Sequence, residues 1–397
     1  MTAQQNLNSQ FFINPNITFL NFGSFGACPK PIFEDLQKWQ LEMEREPVQF
    51  ITVDGFNYLK QSREALAKYI HCDADDLVYT PNPSYAMSII TKSLKLNAGD
   101  EILTTDLEYG AMDKSWNYYC KQTGVKYIRQ HINLPLTTKE AFVEDFFKGL
   151  TKNTKAIFIS QITSSTALIL PVKEICDIAK QKGLLTIVDG AHVPGHIPLN
   201  LSELKADIYT GACHKWMMTP KGCAFLYVTK EQQHWTDPLV ISWGYESAMP
   251  SHSQFLDYHQ LQGTRDFTAF LTVPKAIEFM NAHDWEAQAA NCRKLVQANA
   301  QRFCDLLGTK PLCPIDGTFL GQMFSIPIHT PEPETLQRHL FEAYKIEIPV
   351  MRHGTDTYLR YSIQVFNSQK DLDVLYDALK EIMANTELIE VKQVISN

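Results

Sequence analysis

No run in this 397-residue chain is long and apolar enough to cross a bilayer. The longest, such as "AIFIS" and "LLTIV", fall far short of the roughly 20 residues a spanning helix needs. No basic segment followed by an apolar one opens the sequence "MTAQQNLNSQFF", so no export signal is expected and the protein reads as cytoplasmic. Positive charge is scarce and scattered. With Lys+Arg at 36 against Asp+Glu at 44, the net charge is −8, and no cationic stripe exists to offset nucleic-acid phosphates. No CxxC pair occurs among the nine cysteines, at 28, 72, 120, 176, 213, 223, 292, 304 and 313. A disulfide framework and a zinc site are therefore unsupported, no metal is expected, and the thiols read as small buried hydrophobes in a reducing compartment. Repeats, heptads and low-complexity tracts are absent too.

What is present is an ordinary globular composition, 45% hydrophobic and 20% charged, on a chain long enough for about two to three domains. From about residue 55 to 265, helical and short apolar segments alternate. "SREALAKYI" has helical spacing, "EILTT" reads as a strand, and "AMDKSWNYYCKQTG" reads as a helix closed by glycine. "VKYIRQ" and "KAIFISQI" follow as strands, with a helix "KEAFVEDFFKGL" between them. "PVKEICDIAKQKG" is a helix with Pro171 at its start and Gly183 as its stop. β-rich runs such as "LLTIVD" and "CAFLYV" suit strands covered on both faces, which predicts an α/β layer with a mostly parallel sheet. After "QGTRDFTAFLTVPKAIEFM" the pattern becomes α+β. A long helical region at roughly 273–307 leads to "MFSIPI", a helix "PETLQRHLFEAY", the strand-like "YLRYSIQV" and a last helix "SQKDLDVLYDALKEIM". The expected division is an N-terminal segment over 1–30, a large domain over 31–270 and a smaller C-terminal domain over 271–397.

Open α/β sheets bind ligands at the carboxyl ends of their strands, so polar residues just after apolar runs are the candidates for chemistry. "LLTIV" ends in "DGAH", which puts Asp189 and His192 at one tip. "DIYTGAC" ends in "HK", which puts His214 and Lys215 at another. "LVYTPNPSYAMSII" runs through "NPS" into a helix whose free N–H groups suit an anion. A lysine, a carboxylate and an anion cradle are what pyridoxal phosphate requires: an amine for its aldehyde, an acceptor for its ring N–H and donors for its phosphate.

The stretch from "TIVDGAHVPGHIPLNLSELKADIYTGACHKW" to "PKGCAFLYV" resembles the cofactor-lysine region of fold type I pyridoxal-phosphate enzymes of the class V aminotransferase superfamily. Within it, "HKW" and "DGAHVPG" are most similar to isopenicillin N epimerase-like proteins. The resemblance runs from "FLNFGSFGACPKPI" to "YLRYSIQVFNSQKDL", and it implies a three-layer α/β/α large domain and a smaller α+β domain. It also implies roles. Lys215 would be the Schiff-base lysine and the base at Cα. Asp189 would pair with the pyridinium nitrogen, and His192 would approach the ring's phenolic oxygen. Ser84, Tyr85 and His214 would hold the phosphate, Tyr109 would stack on the ring, and Ser164 would stand beside it. Thr264 would reach the phosphate of a neighbouring subunit, which implies a homodimer. Arg360 would clamp the substrate α-carboxylate, and Asn21 and Gly23 would line the substrate side. Ala212 departs from the asparagine that relatives often carry there, and either backbone N–H groups or Thr210 would have to compensate.

The same resemblance favours epimerisation of a small amino-acid substrate, with carbon–sulfur elimination and transamination as alternatives. A noncatalytic relative that binds cofactor or amino acid as a signal is the other reading, which the intact Lys, Asp, His and Arg set argues against. "YKIEIPVMRHGTDTYLRYS" carries no cysteine, which argues against sulfur transfer through a persulfide. Arg352 and His353 read either as solvated loop residues or as readers of a distal acidic group. Trp216, Trp243 and Tyr245 read either as a side-chain pocket or as packing.

Overall fold

The structure, a computed structural model, describes residues 7–390. Near its start, β1 (Thr18–Phe19) pairs with a short strand from the far end of the chain, and a short helix, Phe22–Phe25, follows it. The helices Lys30–Arg45 and Gly55–Ile70 then lead into the main sheet. Its strands are β2 (Leu77–Thr80), β3 (Glu101–Thr105), β4 (Lys126–Gln130), β5 (Thr154–Ser160), β6 (Leu185–Asp189), β7 (Ile208–Ala212) and β8 (Ala224–Val228). They lie in the order β2-β8-β7-β6-β5-β3-β4.

Strands β3 to β7 are mutually parallel, while β8 runs antiparallel to both β7 and β2. Two reversals restore the original direction. The carboxyl ends of β2, β5, β6 and β7 therefore share one edge of the sheet, although β2 lies outside the parallel run. This is the mostly parallel α/β sheet expected, with "CAFLYV" as its one reversed strand. Every residue of β2, β7 and β8 is buried, which is why those runs read as continuous apolar stretches rather than alternating ones.

The helices between strands start and stop as the sequence indicates. Helix Gly110–Thr123 ends at Gly124 in the left-handed conformation (φ 76°), and helix Val172–Gln181 has Pro171 as its N-cap. Beyond the sheet, the expected long helical region is two helices, Val273–Ala282 and Trp285–Leu307. They are separated at His283–Asp284, where Asp284 adopts φ 49°. No glycine or proline marks that break in the sequence. The longer helix packs on a second, antiparallel sheet made of β9 (Met323–Pro327), β11 (Val350–His353) and β12 (Asp356–Ser362), in the order β11-β12-β9. The remaining strand, β10 (Ile346–Glu347), is the partner of β1. Helix Gln369–Asn385 closes the fold and opens with a capping box between Ser368 and Asp371. Among the described residues no helix is long and apolar enough to cross a membrane.

Candidate active site

A cavity of about 400 Å³ opens at the shared edge of the sheet. Ser84, Tyr109, Ser164, Asp189, His192, His214 and Lys215 all line it, so residues spread over more than a hundred positions converge on one space.

Lys215 follows β7; the residue is half-buried and its amine is enclosed. Burial, then the Arg360 charge, lowers its ammonium pKa to about 8, against a weaker upward pull from Asp189. At pH 7 about a tenth of this amine is thus uncharged and nucleophilic, against well under a thousandth for an ordinary lysine. Asp189 ends β6 at 4% exposure. Its Oδ1 accepts from the Ala191 N–H at 2.9 Å, while Oδ2 has no hydrogen-bond partner among the described residues. Burial raises this carboxyl's pKa; the Ala191 N–H and the Lys215 charge oppose the rise. An unused oxygen facing a cavity suits a cationic ring N–H.

The helix Pro83–Ser93 points its N-terminus at the same space. Asn82 caps it, accepting from the Tyr85 N–H at 2.9 Å, and Pro83 occupies the first turn, where its missing N–H costs nothing. The Tyr85 ring leaves the cavity, and its hydroxyl donates to Gln262 Oε1 at 3.1 Å. His214 Nδ1 lies 2.7 Å from the Cys223 carbonyl, which makes Nδ1 the protonated nitrogen and Nε2 an acceptor. Burial lowers the His214 pKa to about 4. His214 therefore meets a phosphate as a donor only by taking up a second proton, which a phosphate's negative charge favours.

Arg360, on β12, is 1% exposed. Its Nη1 donates to the Ser164 carbonyl at 2.6 Å and its Nη2 to Ser24 Oγ at 3.2 Å, while Nε has no partner. Among the described residues no carboxylate pairs with it, and burial pulls its pKa down to about 10. An unneutralised buried guanidinium is expensive unless an anion arrives to share its charge. Asn21 and Gly23 do not line the cavity; Asn21 holds Ser24, which does, and Gly23 packs against Arg360 behind the wall. Asn21 accepts from Ser24 Oγ at 2.5 Å and donates to Glu347 Oε1 at 3.0 Å. A Cβ on Gly23 would lie 2.5 Å from Met323 Sδ and 3.5 Å from Arg360 Nη2.

Several expectations lie elsewhere. Thr264 is exposed and outside the cavity of the single chain. Thr210 donates its hydroxyl to the Phe225 carbonyl at 2.8 Å and is not free to compensate for Ala212. Arg352 pairs with exposed Glu334, and His353 Nε2 sits 2.5 Å from the Asp106 carbonyl, so neither reads the cavity. Trp216 is fully buried, whereas Trp243 is 87% exposed. Sequence reasoning missed Ser24, Phe25, Asn82, Ser160, Lys221 and Gly222 on the cavity wall. It also missed Glu108, which accepts from the Ser160 N–H and hydroxyl just behind that wall. Only Asn82 and Lys221, as polar residues flanking "PS" and inside "PKG", carried a visible signal.

The class V aminotransferase family model matches residues 46–375. An isopenicillin N epimerase of Amycolatopsis lactamdurans is 31% identical, over 96% of this chain and 99% of that protein. A probable chloroplastic L-cysteine desulfhydrase of Arabidopsis thaliana is 27% identical, over 93% of this chain and 84% of its own length. Among solved structures, a cysteine desulfurase from Thermococcus onnurineus superposes with a TM-score of 0.81 at 19% identity, covering 97% of this chain and 99% of its own. A mutant of C-DES with glycine covalently linked to the PLP cofactor superposes with a TM-score of 0.78 at 18% identity, covering 94% of this chain and 99% of its own. Both share the fold. The unused Asp189 oxygen, the buried amine of Lys215 and the capped helix N-terminus fit pyridoxal phosphate end to end, and the chain belongs to the pyridoxal-phosphate-dependent class V aminotransferase family.

Proposed function

We propose that this enzyme inverts the configuration at Cα of a free or small peptide-like amino acid, working as a cytoplasmic homodimer. The observation that carries the reading is Arg360, a buried guanidinium without a carboxylate partner, bonded to Ser164 and Ser24, which line the same cavity as Lys215 and Asp189. An α-carboxylate held there by parallel N–H donors fixes the amino acid at one end and leaves its Cα bonds within reach of the lysine.

Pyridoxal phosphate, when bound, supplies a conjugated electron sink for the pair left behind as a bond to Cα breaks. The chain supplies the rest. Lys215 would anchor the cofactor through its amine and then move the Cα proton. Asp189 would hold the ring nitrogen protonated, His192 would meet the phenolic oxygen, and Ser164 would stand beside the ring. Ser84, His214 and the capped helix end would hold the phosphate. Tyr109, half-exposed on the cavity wall, is the second group able to return a proton, which inversion requires if two bases share the work.

The homodimer draws support from apolar side chains on the surface of the single chain. Phe25, Ile241, Trp243 and Met249 are all exposed, Met249 at 88%. A second copy covering them would bring its Thr264 towards the phosphate end. Free thiols at all nine cysteine positions support the cytoplasmic assignment.

A second reading is carbon–sulfur elimination: none of the nine cysteines lines the cavity, so among sulfur chemistries the site suits a lyase rather than a persulfide-forming desulfurase. Sulfur would then leave with the substrate's side chain rather than as a persulfide on the protein. Incubation of the loaded enzyme with L-amino acids in D2O separates the two. Inversion with Cα deuteration supports the epimerase, and release of pyruvate and sulfide supports the lyase. Lys215→Ala should remove either activity by roughly 10²–10⁴-fold or more and should abolish borohydride fixation of the cofactor to the protein. Retained fixation in that variant would remove Lys215 from its role.

A further inference from the structure

His192 stands between the lysine and a buried tryptophan. Lys215 Nζ lies 3.3 Å from its Nε2, and Trp216 Nε1 donates to its Nδ1 at 3.3 Å. An indole N–H can only donate, so Nδ1 must carry a lone pair. Burial, reinforced by the charges of Lys215, Arg360 and His196, holds His192 neutral. A neutral imidazole has one N–H. With Nδ1 occupied as acceptor, that proton is on Nε2, facing the lysine.

The consequence falls on the amine. An ammonium has three donors and no acceptor, so opposite an Nε2–H it finds nothing to bond; only the uncharged amine has the lone pair that can accept. We propose that Trp216 is a positioning residue that locks His192 as its Nε2–H tautomer and thereby favours the neutral form of Lys215.

The surroundings hold that lock in place. The Trp216 ring stacks on His196 at 4.0 Å between centroids and packs against Phe22 at 5.0 Å. His196 is itself fixed, with Nδ1 2.9 Å from the His192 carbonyl and Nε2 accepting from the Gln322 N–H at 2.6 Å. A Cβ on Gly321 would come within 2.2 Å of His196 Nε2, and one on Gly195 within 2.3 Å of the Trp216 carbonyl oxygen. The indole is therefore held between the His196 and Phe22 rings. The other groups acting on Lys215 are Arg360, which also disfavours its ammonium, and Asp189, which favours it. Without the indole N–H, His192 could take the opposite tautomer, whose Nε2 lone pair would accept from an ammonium.

The inference rests on Lys215 being the cofactor's lysine, and one experiment tests the two separately. Cofactor-free protein is exposed across a pH series to pyridoxal, which has the aldehyde but no phosphate, and then to borohydride. The neutral amine attacks the carbonyl carbon, water leaves, and hydride reduces the resulting C=N bond. Peptide mass spectrometry reads the label at Lys215. The wild-type labelling rate should be half-maximal near pH 8. In Trp216→Phe the midpoint should rise by about one pH unit or more, a tenfold loss of neutral amine at pH 7.

Wild-type protein unlabelled at Lys215 at every pH would overturn both the lysine assignment and the lock. Normal labelling with superimposable profiles would overturn the lock alone. Should the phenylalanine variant fail to fold, 3-benzothienylalanine placed at position 216 keeps the ring bulk and replaces the N–H with sulfur. The same upward shift is expected there, and an unchanged midpoint again overturns the lock.

Discussion

Glu108 sits one residue before Tyr109 and is 1% exposed. Its carboxyl accepts from Thr105 Oγ1 at 2.7 Å, from the Ser160 N–H at 3.0 Å and from Ser160 Oγ at 2.5 Å. Burial overrides these donors and raises its pKa from 4.5 to about 8, with Asp189 adding to the rise. The folded protein therefore keeps this proton up to about pH 8, whereas the unfolded chain releases it near 4.5. The stability linked to it is complete below about pH 4.5 and is lost as pH climbs to about 8, by roughly 5 kcal/mol at most. Lys215 acts in the next window and with the opposite sign: its depressed pKa makes stability rise between about pH 8 and 10.5. Urea unfolding of Glu108→Gln should thus show a smaller loss of stability between pH 5 and 8 than the wild type. An equal loss would mean the buried carboxyl stays ionised. Tyr109 was legible because the family resemblance marks it. Glu108 was not, since a glutamate before a helix reads as a solvated charge until β3 and β5 are seen to enclose it.

Among the elements, the helix Pro83–Ser93 turns a local sequence signal into a binding feature. Asn82 is its cap, and the cap sits on the cavity wall. Asn82→Ala should cost about 1 kcal/mol of stability. It should also narrow the preference of the cofactor-free protein for pyridoxal phosphate over pyridoxal, because the freed N–H groups lose their fixed aim at the phosphate. Thermal unfolding and paired binding titrations check the two effects. Loss of stability with an unchanged preference would detach the helix end from phosphate binding. "NPS" announced this helix start, and Gly124 and Gly183 announced the stops of two others. The direction of β8 was not announced. A strand buried on both faces reads the same in either sense, so only its pairing with β7 and β2 reveals the reversal that brings the end of β2 to the edge bearing Lys215. The break at His283–Asp284 was hidden too, because Asp284 adopts a left-handed conformation there with no glycine or proline beside it to announce the turn.

For the whole molecule, the open question is what covers Ile241, Trp243 and Met249. If a second copy does, the double variant Trp243→Glu, Met249→Glu should sediment as a monomer. It should also bind pyridoxal phosphate about tenfold or more weakly, the worth of one hydrogen bond to a charged group lost with the partner's Thr264. Monomer formation with unchanged affinity would place Thr264 outside the phosphate site. Assembly is the level least legible in sequence, because an apolar residue on a loop looks the same whether it meets a partner or water.

The contact between Arg360 and Ser24 joins positions 336 residues apart, near the two ends of the described chain. On a ribosome, Ser24, Ser84, Asp189 and Lys215 all emerge before Arg360, and β12 can complete its sheet only after β9 and β11 exist. With Arg360 as the proposed carboxylate clamp and Lys215 as the proposed cofactor lysine, a nascent chain would form the lysine pocket before the group that selects carboxylates. Substrate recognition would then be the last competence acquired in synthesis, and a stop before β12 would yield a chain without that clamp.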